Sequence, residues 1–260
     1  MIHNYARCNI AIAPLRKDPE HASEQISQLL YGEKVEVTEI QKNGWVKIKN
    51  QWDEYEGWCK QSQLSIIHKR EFQKASKYYV SDHNGKLIYH EAHAMWIPVG
   101  AELDKPTFKQ EGIIIKYKGR KTISKNLMPN RDTLLKTATS FLFAPYLWGG
   151  RTIAGIDCSG FTQMVYKLAA NFRIHRDASM QATQGELVDF LQNAICGDLA
   201  FFDNDLGNIT HVGMLLDAST IIHATDSSGK VVVDRIDNGG IISTEHKIRT
   251  HNLRMVKRYF

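Results

Sequence analysis

Cys158 stands where a nucleophile would be prepared. It directly follows the glycine-rich stretch Gly149-Gly150-Arg151-Thr152-Ile153-Ala154-Gly155-Ile156-Asp157 and directly precedes Ser159-Gly160-Phe161. From Phe161 to Ala170, Phe161, Val165 and Leu168 fall at i, i+4 and i+7, the apolar stripe of a helix. A thiol at a helix start faces unpaired backbone N–H groups and the positive end of the helix dipole, and both favour the thiolate. The glycines let the backbone approach a substrate closely. Together these features suggest attack on a carbonyl through a covalent acyl intermediate. The competing reading is a buried structural cysteine, and the flanking pattern weighs against it.

Such a nucleophile needs a base, and the base needs a partner to orient it. Thr210-His211-Val212-Gly213-Met214-Leu215-Leu216 and Thr220-Ile221-Ile222-His223-Ala224 read as strands joined by a turn at Asp217-Ala218-Ser219. With three residues in that turn, Leu216 pairs with Thr220 and Gly213 faces His223. His211 then lies one diagonal step from His223 on the same face, about 7–8 Å away between Cα atoms. A two-residue turn would send the rings to opposite faces. The expected roles are attack by Cys158, proton transfer by His211, and orientation of His211 by His223. Any one of the eleven histidines is by itself an ordinary residue. The combination is what points to catalysis.

Tyr146-x-Trp148-Gly149-Gly150, Asp157-Cys158-Ser159-Gly160-Phe161, Gly197-Asp198-Leu199-x-Phe201-Phe202, His211-Val212-Gly213 and Ile222-His223-Ala224 together resemble the NlpC/p60 cysteine peptidases, in matching order over roughly the last 130 residues. The resemblance implies a reduced papain-like fold that cuts bacterial cell-wall peptides with a Cys, His, His triad, here Cys158, His211 and His223. It also implies an extra oxyanion donor from a tyrosine, which Tyr146 matches. The other reading of Tyr146 is an aromatic packed beneath the loop.

A chain of 260 residues at 43% hydrophobic content can bury two or three cores. It contains no apolar run long enough to span a bilayer. Met1 to Cys8 lacks the apolar core and cleavage site of a signal peptide, so the expected location is the cytoplasm. Cys8, Cys59, Cys158 and Cys196 are widely spaced, without metal or CxxC spacing, so disulfides are not expected. Cys8, Cys59 and Cys196 read as packing residues. The net charge of +5 comes from dispersed Lys and Arg, which argues against a nucleic-acid partner. No cofactor and no metal are expected, because His90, Glu91 and His93 read as strand or loop rather than as a ligand set. The expected state is a monomer without membrane contact.

Upstream of Met128 the texture changes to short β-rich runs. Lys34 to Ile40 and Gly44 to Lys49 alternate at period two, with Asn43-Gly44 as a hairpin turn. Leu30-Tyr31-Gly32-Glu33, Gly44-Trp45-Val46-Lys47-Ile48 and Tyr55-Glu56-Gly57-Trp58 resemble bacterial SH3-like domains. A weaker second unit contains Lys86 to Tyr89, Met95 to Gly100 and Gly112 to Tyr117. A linker follows, then a first helix expected over 133–142. The expected fold class is α+β: a papain-like NlpC/p60 catalytic domain at 128–260, preceded by two small SH3-like barrels at 1–67 and 68–127.

Two SH3-like units before such a domain resemble the dipeptidyl-peptidase VI subgroup. That resemblance implies release of L-alanyl-D-glutamate from murein peptides with a free N-terminal alanine, by cleavage of the γ-D-glutamyl–diamino acid bond in wall recycling. It also implies that the first module walls the groove and that carboxylates and a tyrosine hold the substrate ammonium. The matching candidates are Asp177, Glu24 and Tyr55, with Ser159 helping to position the peptide. Each has an ordinary alternative: Asp177 as the N-cap of a helix over 178–190, Glu24 as a solvated charge, Tyr55 as barrel core. Where the subgroup has a hydroxyl residue after the aspartate, this chain has Ala178. Other functions left open are a wall hydrolase or amidase targeted to polymeric peptidoglycan by its SH3-like units, acyl transfer to another group, and an inactive wall-binding adaptor.

Overall fold

The computed structural model describes residues 4–89, 93–110 and 112–260. The chain divides into two units, Met1–Leu127 and Met128–Phe260.

Alternation in the first unit resolves into antiparallel strands. One sheet runs in the order Gln25–Leu30, Ile12–Arg16, Glu56–Lys60, Trp45–Asn50, Lys34–Ile40, Tyr5–Cys8, Leu64–Ile66. Its inward side chains form a core of Ala6, Cys8, Ala13, Leu15, Leu29, Val35, Val46, Ile48 and Cys59. Beyond it lie a four-stranded sheet (His93–Trp96, Lys86–Tyr89, Ile113–Lys118, Thr107–Gln110) and a three-stranded one (Glu102–Leu103, Tyr78–Val80, Lys121–Ile123). Tyr31 leaves the first sheet's neighbourhood and packs among Val80, Leu87, Ile97, Leu103 and Ile115. The Tyr31 carbonyl accepts from the Glu102 amide at 2.8 Å, which ties the two sets of sheets together.

The second unit is built around a closed six-stranded antiparallel barrel. Its order is Arg249–Arg258, Leu199–Asp203, Ile209–Leu215, Thr220–Thr225, Lys230–Asp237, Gly240–Ile242, and the last strand pairs back onto the first. Glu186–Val188 adds to the outer edge of Arg249–Arg258. Closure pairs the first and last strands of the six, and Ala200, Phe202, Leu215, Ile221, Ile236, Ile241 and Val256 form the core. A long helix, Cys158–Ala170, packs against the strands Ile209–Leu215 and Thr220–Thr225. Twelve of its thirteen residues are buried, including Gln163 and Lys167. The expected single apolar stripe is therefore incomplete, because this helix is enclosed on all sides. Its polar groups find partners: Gln163 accepts from Arg151 Nε at 3.0 Å, and the Thr162 hydroxyl donates to Gln181 at 2.8 Å.

Two helices differ from expectation. The first spans Arg131–Thr139, because the Asn130 side chain caps it by accepting from the Asp132 and Thr133 amides. The helix expected over 178–190 is a single turn, Ala178–Gln181. Gly185 then takes a left-handed φ of 71° and the chain turns into the edge strand, so sheet pairing overrides the local helical pattern. No helix among the described residues is long and apolar enough to cross a membrane.

Candidate active site

The helix carrying Cys158 begins at Asp157, whose extended backbone and carboxylate make it the N-cap. One carboxylate oxygen accepts from the Gly160 amide at 2.7 Å, and the other accepts from the Gly149 amide at 2.8 Å. Arg176 clamps the same carboxylate with a fork, Nη1 to Oδ1 at 3.0 Å and Nη2 to Oδ2 at 2.6 Å. Its Nη1 also donates to the Ser159 hydroxyl at 2.9 Å. Arg176 is 2% exposed and Asp157 4%, so this is a dry ion pair joining the glycine loop, the helix start and the 176–177 segment. Gly160 is needed at the junction, because a Cβ there would lie 2.3 Å from the Gly150 carbonyl oxygen.

Cys158 is 5% exposed. Burial, together with the Asp157 carboxylate, pushes its thiol up to about 12, against the pull of the Val212 and Ser159 backbone N–H groups and of Arg176. The helix-start argument for a resting thiolate therefore fails in magnitude: desolvation outweighs the dipole. The Val212 amide that donates toward the sulfur belongs to the residue directly after His211, so the helix start meets the first histidine strand here.

The hairpin has the expected register. Met214 pairs with Ile222 and Leu215 with Ile221, while the Leu216 amide donates to the Thr220 carbonyl at 2.9 Å. Continuing that ladder sets Gly213 opposite His223, where a Cβ on Gly213 would crowd His223 Cβ to 2.9 Å. Both rings share a face, and His211 Nε2 lies 2.8 Å from His223 Nδ1. They are 6% and 1% exposed. Burial, with His251 and His223 close by, holds His211 well below the usual imidazole range. A raised thiol and a lowered imidazole both favour a neutral resting pair over thiolate and imidazolium.

Sequence reasoning missed two neighbours of these rings. His251, from Arg249–Arg258, stacks on His211 with centroids 4.0 Å apart and planes 25° apart. Burial lowers its pKa to about 4, with His223 adding to the effect. Asp234, from Lys230–Asp237, places Oδ2 3.2 Å from His223 Nε2. It was findable: Val232 pairs with His223, so Asp234 is one diagonal step away on the next strand, by the same rule that joined the histidines. His251 gave no such signal, because only barrel closure brings its strand round.

The other expected residues are distributed as follows. Tyr146 is half-buried, and its backbone bridges to Ile156. Burial, with Cys158 and Asp157 nearby, raises its phenol pKa, so it stays a hydroxyl donor. Ser159 is buried, with its hydroxyl engaged by Arg176. Asp177 is half-buried at the start of the short helix, to which its side chain makes no capping bond. In the first unit, Glu24 faces Lys17 across 3.8 Å with its side chain 43% exposed. Tyr55 is half-buried before the strand Glu56–Lys60, with its amide bonded to Asp53 Oδ1. His90 and Glu91 lie outside the described residues, and His93 is exposed.

Residues 144–250 match the NlpC/P60 family, and residues 15–64 match the bacterial dipeptidyl-peptidase SH3 domain. One curated relative is the gamma-D-glutamyl-L-lysine dipeptidyl-peptidase of Bacillus cereus (strain ATCC 10987 / NRS 248). It is 28% identical over 253 residues, covering 85% of this chain and 74% of that protein. Dipeptidyl-peptidase 6 of Lysinibacillus sphaericus is 24% identical over 255 residues, covering 87% and 89%. The crystal structure of an NlpC/P60 family protein from Bacillus cereus ATCC 10987 aligns with a TM-score of 0.79 at 22% identity, over 98% of this chain and 99% of that one. At that identity it speaks for the fold alone.

Proposed function

We propose, from the premise that this chain is a hydrolase of the cysteine peptidase type with an NlpC/P60 domain and a bacterial dipeptidyl-peptidase SH3 domain, that it cleaves the γ-D-glutamyl–diamino acid bond of short murein peptides bearing a free N-terminal L-alanine. The reading extends to a monomer acting in the cytoplasm on peptides already released from the wall. The observation that carries it is the buried His211–His223 pair at 2.8 Å on the strand that meets the Cys158 helix start.

The chemistry follows from the groups present. Cys158 Sγ attacks the amide carbonyl as its proton passes to His211, so the sulfur becomes nucleophilic only during the step. Charge on the carbonyl oxygen is met by backbone N–H at the helix start and by the Tyr146 hydroxyl. His211 gives its proton to the departing amine, leaving a γ-glutamyl thioester on Cys158. Water, deprotonated by His211, then releases the dipeptide. Asp177, directly after the clamped Arg176, is offered as an acceptor for the substrate ammonium. An N-acetyl group brings neither the charge nor the three donors of the free ammonium to such an acceptor, which disfavours blocked substrates. Ala178 stands where the subgroup has a hydroxyl residue, with Ser179 one place on, so the amine is not offered a hydroxyl from position 178.

The names of the relatives support the bond type, since two are dipeptidyl-peptidases and one is named for the γ-D-glutamyl-L-lysine linkage. The test is hydrolysis of L-Ala-γ-D-Glu-diaminopimelate and of its lysine counterpart, each free and N-acetylated, beside intact peptidoglycan and a Cys158→Ala control. Release of L-Ala-D-Glu from the free forms alone supports the reading. Equal cleavage of acetylated peptide removes the amine requirement, and preference for the intact polymer replaces recycling with wall hydrolysis. Cell fractionation tests the compartment.

A further inference from the structure

With both imidazoles neutral, the hydrogen bonds running from Asp234 to His211 admit one proton arrangement. Burial works to raise the Asp234 pKa, but bonds from His223 and from the Thr244 amide and hydroxyl outweigh it and hold the group below the usual carboxylate range. Asp234 is therefore ionised and can only accept. His223 Nε2, 3.2 Å from Asp234 Oδ2, must then carry the hydrogen. In a neutral imidazole the other nitrogen is bare, so His223 Nδ1 accepts across the 2.8 Å contact and His211 Nε2 donates. His211 is itself neutral, which leaves its Nδ1 with a free lone pair. A general base needs that state.

We propose that Asp234 is a positioning residue of the catalytic centre: acting through His223, it dictates which nitrogen of His211 carries the proton and keeps Nδ1 bare to receive the proton of the thiol. This rests on the reading of Cys158, His211 and His223 as the reacting groups. The placement is deliberate at the level of register. Asp234 pairs with Ile221 and His223 with Val232, so Asp234, His223 and His211 form a diagonal across three adjacent strands. The carboxylate is fixed from behind, since its Oδ1 accepts from the Thr244 amide and the Thr244 hydroxyl, each at 2.7 Å. His251, stacked on His211 and bonded through Nδ1 to Thr250 Oγ1 at 2.9 Å, holds the plane of the responding ring. When His211 takes the thiol proton, the Asp234 charge also favours the imidazolium two bonds away.

The variant that separates orientation from packing is Asp234→Asn, which keeps the shape and can present an amide donor to His223 Nε2. That forces the hydrogen of His223 onto Nδ1, and His211 must then carry its own on Nδ1. Imidazole nitrogen spectra of the full-length protein labelled with nitrogen-15 in histidine read this directly. The wild type should show His211 with a bare Nδ1 and a protonated Nε2, and Asp234→Asn should show the reverse on both rings. With the free-amine peptide, kcat should fall at least about 100-fold while KM stays within about 3-fold. An aspartate that orients a catalytic histidine directly is worth about 10⁴-fold, and here the effect passes through a second ring. Wild-type His211 protonated on Nδ1 would overturn the inference, as would unchanged tautomers and turnover in Asp234→Asn. If the variant does not fold, the wild-type spectrum alone decides. If the wild type leaves the peptide uncut yet shows the expected tautomers, the substrate reading falls and the tautomer control stands.

Discussion

Removing the guanidinium from Arg176, by Arg176→Met, tests how the nucleophile's helix start is held. Methionine would replace the aliphatic stem and keep much of its apolar packing but lose the fork on Asp157 at 3.0 and 2.6 Å. Asp157 would remain a buried carboxylate facing three neutral donors, the Gly160 and Gly149 amides and the Ser159 hydroxyl. Breaking one side of a buried ion pair costs about 3–5 kcal/mol, mostly as the penalty of the stranded charge. Because the chain has two units that need not unfold together, the readout is native-state hydrogen exchange of amides in the Cys158–Ala170 helix. A second readout follows from charge. Arg176 lowers the Cys158 pKa and Asp157 raises it, so the variant should alkylate more slowly at Cys158 than the wild type at any pH below the thiol pKa. Adding Asp157→Asn should recover part of the stability, though not all, since the Gly149 amide loses its acceptor. A loss below about 1 kcal/mol, or strictly additive effects of the two substitutions, would refute the picture of one dry, interdependent clamp.

Three further outcomes follow. Unfolded His211 and His251 would take up protons near the ordinary value of 6.5, while folded His251 does so at about 4 and His211 well below 6.5. The unfolded chain then binds more protons, so stability of the second unit should fall as pH drops from about 6.5 towards about 4, by up to about 1.4 kcal/mol per pH unit per ring. Denaturant titrations of His251→Phe, which stacks but does not titrate, should show a shallower slope, and an unchanged slope would contradict the assignment. Second, with a thiol pushed up to about 12, iodoacetamide modification of Cys158 should keep rising with pH well above neutrality, whereas a plateau below pH 7 would mean a preformed thiolate–imidazolium pair. Third, Gly213→Ala must push against His223 Cβ at 2.9 Å and Ile221 Cδ1 at 2.7 Å. Turnover should drop at least about 10-fold with modest loss of stability, and wild-type turnover would show that the two strands tolerate separation.

What the sequence made legible was mainly what depends on neighbours along the chain. The Asp217-Ala218-Ser219 turn sets the hairpin register, and the register sets the faces of His211 and His223. The helix start at Cys158 followed from the periodic residues behind it, whereas the capping role of Asp157 emerged only in the structure. Period-two runs in the first third became strands with Val35, Val46 and Ile48 in the core, though Ile40 at the end of its strand is exposed. Less legible were features that need distant segments to meet. The helix pattern after Asp177 gave way to edge pairing with the last strand. His251 reached His211 only through closure of the barrel. The thiol's electrostatics were misjudged because the dipole is local and visible in sequence, whereas desolvation depends on everything packed around Cys158. Asp234 lay within reach of the diagonal rule extended by one strand.

The most direct measurement is the trapping of the covalent intermediate: rapid acid quench of the enzyme mixed with L-Ala-γ-D-Glu-diaminopimelate, followed by intact and peptide mass analysis. A single L-Ala-D-Glu acyl group on the peptide containing Cys158, absent from Cys158→Ala and from His211→Ala, is the predicted result. Turnover that persists in Cys158→Ala, or an acyl group on any other residue, would contradict it.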